Sequence, residues 1–232
     1  MKQSFFPISL TQKETRNGLI YMAISLIALP WILSEGNALL ADPLSTGKVN
    51  FLYYFINFAV MVWLCRKFLG QSLRYALKIP FPVIWYGILG YLGAKALGEL
   101  VAIVTLLIYP DFSNINDQTI ISMLQDDSRL IICGTVFLVP VVEELFFRGL
   151  IFRNLASRNH VAAYLVSMVL FSLLHVAGYI GAYSPLHLLM CFLQYLPASF
   201  CLCWCYCQTG TIITPIIMHA VTNAMSVSYL LR

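Results

Sequence analysis

Apolar side chains run in seven blocks along this chain, at 19–33, 51–65, 81–108, 130–155, 161–180, 186–207 and 212–231, separated by short polar connections. Because roughly 20 apolar residues cross a bilayer as a helix, the pattern predicts an all-α fold, a polytopic membrane helical bundle of about seven transmembrane helices. The first block follows a basic leader holding Lys2, Lys13 and Arg16, and no small-residue cleavage pattern comes after it. It therefore reads as a retained span rather than a removed signal peptide, with Pro30 a candidate kink. A polar loop at 35–48 leads to the second block, which ends on Arg66, Lys67, Arg74 and Lys78. The polar interval 109–129 is acidic through Asp111, Asp117, Asp126 and Asp127. There Ile115, Ile120, Ile121 and Leu124 recur at a helical period, which predicts a short helix on the membrane surface.

Composition agrees with the pattern. Of 232 residues 60% are hydrophobic and 10% charged, where soluble proteins carry about 25% charged residues. The mean hydropathy is +0.81. The net charge of +4 comes from Lys and Arg confined to connecting stretches, which excludes a nucleic-acid face and reads as topology signal. Lys13 and Arg16, Arg66 to Lys78, and Arg153 and Arg158 share one side if the spans alternate. That predicts a multi-pass integral protein, of the inner membrane if the host is bacterial, with its N-terminus cytoplasmic and Arg232 outside. Without an internal repeat or a dividing linker, residues 1–79 read as a leader with two accessory spans and 80–232 as the core.

Cys201, Cys203, Cys205 and Cys207 alternate with Leu202, Trp204 and Tyr206. Alternate residues on a helix diverge in direction, so the spacing suits small packing residues or acylation sites better than a metal.

The chemistry lies in polar side chains inside the apolar blocks, each costly in lipid unless paired or used. In the stretch P-V-V-E-E-L-F-F-R, Glu144 and Arg148 are i,i+4 partners able to neutralise one another, while Glu143 points about 100° away and is left over. His175 follows Phe171 by one turn, and His219 and Asn223 share a face at i,i+4. Counted from the inner span ends at 1.5 Å per residue, Glu143 lies at about 18 Å, His175 at about 21 Å, His219 at about 12 Å and Asn223 at about 18 Å. Three spans thus bring polar groups to one depth. A buried carboxylate can act as general base, an imidazole can share the proton, and a second His and an amide can stabilise an oxyanion. No Ser or Cys nucleophile sits beside a base in this set, so attack by activated water on a peptide carbonyl fits best. Lys95 with Glu99 reads as a self-neutralising pair, and His160 and His187 as interfacial.

E-E-L-F-F-R at 143–148, F-S-L-L-H at 171–175 and H-A-V-T-N at 219–223 together resemble the three motifs of the CAAX-protease and bacteriocin-processing (CPBP, or Abi) family of intramembrane endopeptidases. The resemblance covers about residues 80 to 231. It implies a helical membrane core that cleaves a peptide bond in a membrane-bound protein or peptide. In that reading Glu143 activates water alongside His175, His219 and Asn223 stabilise the oxyanion, and Arg148 holds Glu144 or a substrate carboxylate. The motifs leave open CAAX-type, bacteriocin-related or sorting-related processing. They also admit a zinc arrangement, with Glu143, His175 and His219 as ligands and Glu144 as base, although Asn223 suits a donor role better. Two other classes stay open: a non-catalytic immunity protein that binds a toxic peptide in the same cavity, and a proton-coupled transporter using Glu143 and Glu99.

Overall fold

The computed structural model describes residues 6–231 and is helical throughout, without a strand among those residues. Lys2 and Arg232, invoked above for topology, lie outside them. The helices are α1 (Gln12–Ala38), α2 (Thr46–Leu64), α3 (Arg66–Ala76), α4 (Pro80–Ile108), α5 (Ile115–Cys133), α6 (Val139–Glu144), α7 (Arg153–Ala156), α8 (His160–Leu174), α9 (Pro185–Thr209) and α10 (Ile213–Leu230). From α5 to α7 the chain is one rod, joined by wider π-turns at Gly134–Leu138 and Leu145–Phe152. Each of the seven apolar blocks falls on a helix. Among the described residues α1, α2, α4, the Ile115–Ala156 rod and α9 are long and apolar enough to cross a membrane. Helix α8 is apolar but has 15 residues, and α10 has 18 and carries His219 and Asn223.

Boundaries shift where composition hid them. The block 161–180 is helical only to Leu174, because the chain caps at His175 and turns through Ala177–Tyr179 and Gly181, whose φ of +90° needs a residue without Cβ. The residues beyond the cap, Val176, Ala177, Tyr179 and Ile180, are themselves apolar, so hydropathy could not mark the end. The helix expected in the acidic interval is present: Asn114 caps Ile115, and a break at Asp127 (φ −155°, ψ 82°) divides it from the rest of α5. Pro30 lies inside α1, which runs on to Ala38.

Two features of the N-terminal third differ from the sequence expectation. The basic cluster after the second span is itself a helix, α3, which buries Phe68, Ser72 and Ala76 at a four-residue period and exposes Arg66, Lys67 and Arg74. The leader also carries more than charge. Phe6, Ile8 and Leu10 are all buried and alternate with the exposed Pro7 and Ser9, and Phe6 packs at 4.6 Å on Tyr206 and 6.3 Å on Phe152. Thr11 and Glu14 then form a capping box that starts α1, and the other oxygen of Glu14 accepts the Phe68 N–H at 3.0 Å, capping α3. The Arg153 guanidinium donates to Ser9 Oγ at 2.9 Å, and Thr211 Oγ1 donates to the Ser72 carbonyl at 3.0 Å. Leader, α3, α7 and the α9–α10 turn therefore meet at one end of the bundle.

The alternating cysteines of α9 divide between neighbours. Cys201 and Cys205 face α4 at Gly93 and Gly90, while Cys203 and Cys207 lie 3.6 Å from Ser167 and Tyr164 of α8. Small residues let helix backbones approach closely in lipid, where packing rather than a hydrophobic force joins them. A Cβ on Gly90 would overlap Cys205 Sγ and lie 2.9 Å from Met218 Sδ. We expect Gly90→Val to lower stability by about 1–3 kcal/mol through overpacking, and Cys205→Ala in the same chain to recover part of the loss. Thermal unfolding of the three proteins in detergent checks both.

Candidate active site

The rod that carries the two glutamates is irregular on both sides of them, and one residue explains the first irregularity. Val139 donates its N–H five residues back, to the Gly134 carbonyl. In that register the donor for the Thr135 carbonyl would be residue 140, which is Pro and has no N–H. The Asn223 side-chain amide of α10 supplies the missing donor, reaching Thr135 O at 2.9 Å. Asn223 therefore ties α10 to the turn just before Glu143. The second π-turn, Leu145–Phe152, ends when Arg153 N–H donates to the Arg148 carbonyl. Single π-turns in α-helices recur at functional sites because they re-aim side chains.

Between these turns the adjacent carboxylates have opposite circumstances. Glu144 is fully buried, and its Oε1 accepts from Arg148 Nη1 at 3.2 Å and from His219 Nδ1 at 2.8 Å. Arg148, also fully buried, donates through Nη2 to the carbonyl and Oγ of Ser199 on α9, at 3.0 and 2.9 Å. Its guanidinium carbon stands 4.6 Å from the Phe171 ring centroid. Glu143 is 14% exposed, and its Oε2 has no hydrogen-bond partner. The ion-pair partner of that oxygen is His219 Nε2 at 3.9 Å, beyond hydrogen-bonding range. One imidazole thus spans the pair, bonded to Glu144 and facing Glu143.

His175 enters from the end of α8. Its Nδ1 is 2.9 Å from the Phe171 carbonyl, an acceptor only, so Nδ1 carries the hydrogen and Nε2 keeps its lone pair. The ring stacks on Tyr195 at 4.1 Å and 23° and lies 4.7 Å from Phe171. Phe171 in turn touches Phe147 at 5.4 Å and His219 at 5.8 Å, so one aromatic ring is shared by all three motifs. Through Phe171, which also lies under Arg148, His175 joins the same cluster.

The structure brings Glu143, Glu144, Arg148, His175 and His219 together and sets Asn223 at the edge, one amide hydrogen engaged by Thr135. Ser199 and Tyr195 are additions that sequence reasoning missed. Ser199, two residues after Pro197 in an apolar run, offered only its hydroxyl as a hint. His187 is a structural residue, with Nε2 3.0 Å from the Ser113 carbonyl and Tyr109, Phe112 and Tyr183 around its ring. Among the described residues no three His, Cys, Asp or Glu side chains are grouped so as to hold a metal ion. With His219 Nδ1 bonded to Glu144, its Nε2 is the ring nitrogen that the zinc arrangement would use.

Chemically, the arrangement is two carboxylates and one guanidinium sealed among Phe and Leu. Charge balance in so apolar a setting calls for one more proton, and Glu143 and the two imidazoles are the groups able to share it. A carboxylate held without a partner beside imidazoles is suited to taking a proton from water.

Comparison with known proteins adds to this geometry. Residues 126–225 match the family model described as type II CAAX prenyl endopeptidase Rce1-like. The match contains all three motifs and is narrower than the resemblance of residues 80 to 231, since it leaves out α4. No curated protein and no solved structure matches the chain. The bundle is that of an integral membrane protein, and its segment 126–225, which holds the whole glutamate and histidine cluster, is similar to the Rce1-like type II CAAX prenyl endopeptidases.

Proposed function

We propose that this protein hydrolyses a peptide bond in a membrane-anchored protein or peptide, using water activated by Glu143 without a metal. The observation that carries the reading is the division of labour between neighbours: each keeps an Oε2 without a hydrogen bond, but Glu144 is fully buried and held through Oε1 by Arg148 and His219, whereas Glu143 stands at the 14%-exposed margin of the cluster with its ion-pair partner His219 no nearer than 3.9 Å. Glu143 takes a proton from water as the water oxygen bonds to the carbonyl carbon of the scissile amide. The carbonyl oxygen becomes an oxyanion. The amide hydrogen of Asn223 not given to Thr135 and His219 Nε2–H, when both ring nitrogens are protonated, are the donors for that charge, each worth about 3–4 kcal/mol of barrier in comparable sites. Collapse breaks the C–N bond, and the proton held by Glu143 passes to the leaving nitrogen. His175, its Nε2 free to accept, shares that proton in transit. Arg148 is a positioning residue that fixes Glu144, and through it His219.

Basic residues gathered at the end of the bundle where leader, α3 and α7 meet support a cytoplasmic placement of the N-terminus. A CAAX-type substrate, cleaved near a lipidated C-terminus, is accessible from that side.

Glu143→Gln should lower cleavage by at least about a hundredfold, the usual contribution of a general base, and His175→Ala should lower it in the same direction. Mass spectrometry of membrane-protein termini in cells making wild type or either variant reads this and names the substrate. Termini unchanged in both variants would overturn proteolysis by this cluster. Stability should separate the two glutamates. Replacing Arg148 with Met strands a buried carboxylate and should cost about 3–5 kcal/mol, seen as a large drop in thermal midpoint in detergent, while Glu143→Gln should leave the midpoint near that of wild type.

A further inference from the structure

Helix α4 carries the largest polar anomaly outside the site. It lies against α9 and α10 through residues such as Gly90, Ala94 and Thr105. On the side turned away from α9, Ile88, Leu92, Lys95, Glu99, Ile103 and Leu106 recur every three or four residues, and all are exposed. Lys95 Nζ and Glu99 Oε1 are 3.7 Å apart, with side chains 55% and 68% exposed.

Their depth is the difficulty. Lys95 is about 22 Å along the helix from Pro80 and about 20 Å from Ile108, at a 1.5 Å rise. In a helix centred on a hydrocarbon layer about 30 Å thick, the pair lies near the midplane. Lysines at helix ends reach the interface by extending their stems, but from the middle neither charge reaches water. Ionisable residues at that depth almost always face protein, and here the chain itself leaves them bare. The pair sits outside the segment matched by the family model, on the face of α4 turned away from α9.

We propose that α4 is the face through which two copies of this chain associate in the membrane, with Lys95 of each copy pairing with Glu99 of the other. A two-fold interface joins a patch to itself, so it requires self-complementarity, and a patch carrying one acid and one base meets that requirement alone. A two-fold axis along the membrane normal brings the α4 helices together in parallel. Lys95 and the opposing Glu99 are then offset by about 6 Å along the axis, the offset already bridged within one helix. Four charges close into a neutral network shielded from lipid, and the apolar positions above and below pack against their own copies.

The test uses two tagged forms of the full-length protein in one liposome preparation, read by energy transfer between differently labelled copies. Lys95→Glu makes a chain with two acids and Glu99→Lys one with two bases, and either change breaks the intrahelical pair. Wild type should self-associate, each variant alone should do so at least about tenfold more weakly through like-charge apposition, and the mixture of the two variants should recover association. An intrahelical role cannot produce that recovery. Cross-linking provides a second readout that needs no charge change: with the exposed Cys133 replaced by Ser, Leu92→Cys should give a covalent dimer in native membranes and the lipid-facing Leu165→Cys should not. Absence of transfer in wild type, equal association of wild type and single variants, a mixed pair no better than either alone, or cross-linking at Leu165 rather than Leu92 would each overturn the proposal.

Discussion

The interaction on which the interior depends is the capture of Glu144 by Arg148 and His219. A carboxylate and a guanidinium buried among phenylalanines and leucines are tolerable only if each is satisfied by a neighbour. The neighbours come from different helices: His219 from α10, the Ser199 hydroxyl and carbonyl from α9, and the face of Phe171 from α8. The ion pair thereby dictates which helices surround the rod. With His219 turned to Glu144 through Nδ1, Glu143 faces the same ring only across 3.9 Å at Nε2 and is excluded from a hydrogen bond with it, at the partly exposed rim of the cluster. The proposed chemistry follows from that exclusion.

The backbone contributes as much as the charges. Pro140 leaves the Thr135 carbonyl without a helical donor, and Asn223 repairs the gap from across the bundle. One amide therefore serves helix continuity and, in the proposed mechanism, retains a second hydrogen for the oxyanion. The small residues of α4 and the cysteines of α9 do the analogous work on the far side, letting two helices approach closely enough to wall the cluster from lipid. The leader closes the remaining end, with Phe6 against Tyr206 and Glu14 holding α3.

Much of this was legible from the residues because lipid makes polarity conspicuous. A Glu, a His or an Asn in an apolar block stands out, and helical spacing gives its depth, so the convergence of Glu143, His175 and His219 could be anticipated. The Glu144–Arg148 pair followed from i,i+4 geometry and survives the π-turn that begins at Leu145. Other parts left no such trace. The role of Asn223 depends on a register change that no period announces, Ser199 is one hydroxyl among many, and the end of α8 is written in apolar residues. The leader read as charge because its alternating Phe6, Ile8 and Leu10 are too few to register as a pattern.

The central claim is that Glu143 acts on water and does not itself attack the substrate. Cleavage of a membrane-anchored peptide by the purified protein in heavy-oxygen water, limited to a single turnover, decides it. Direct attack by water predicts heavy oxygen in the new carboxylate of the fragment N-terminal to the cut and none on Glu143; label found on the Glu143 carboxylate by mass spectrometry would contradict it.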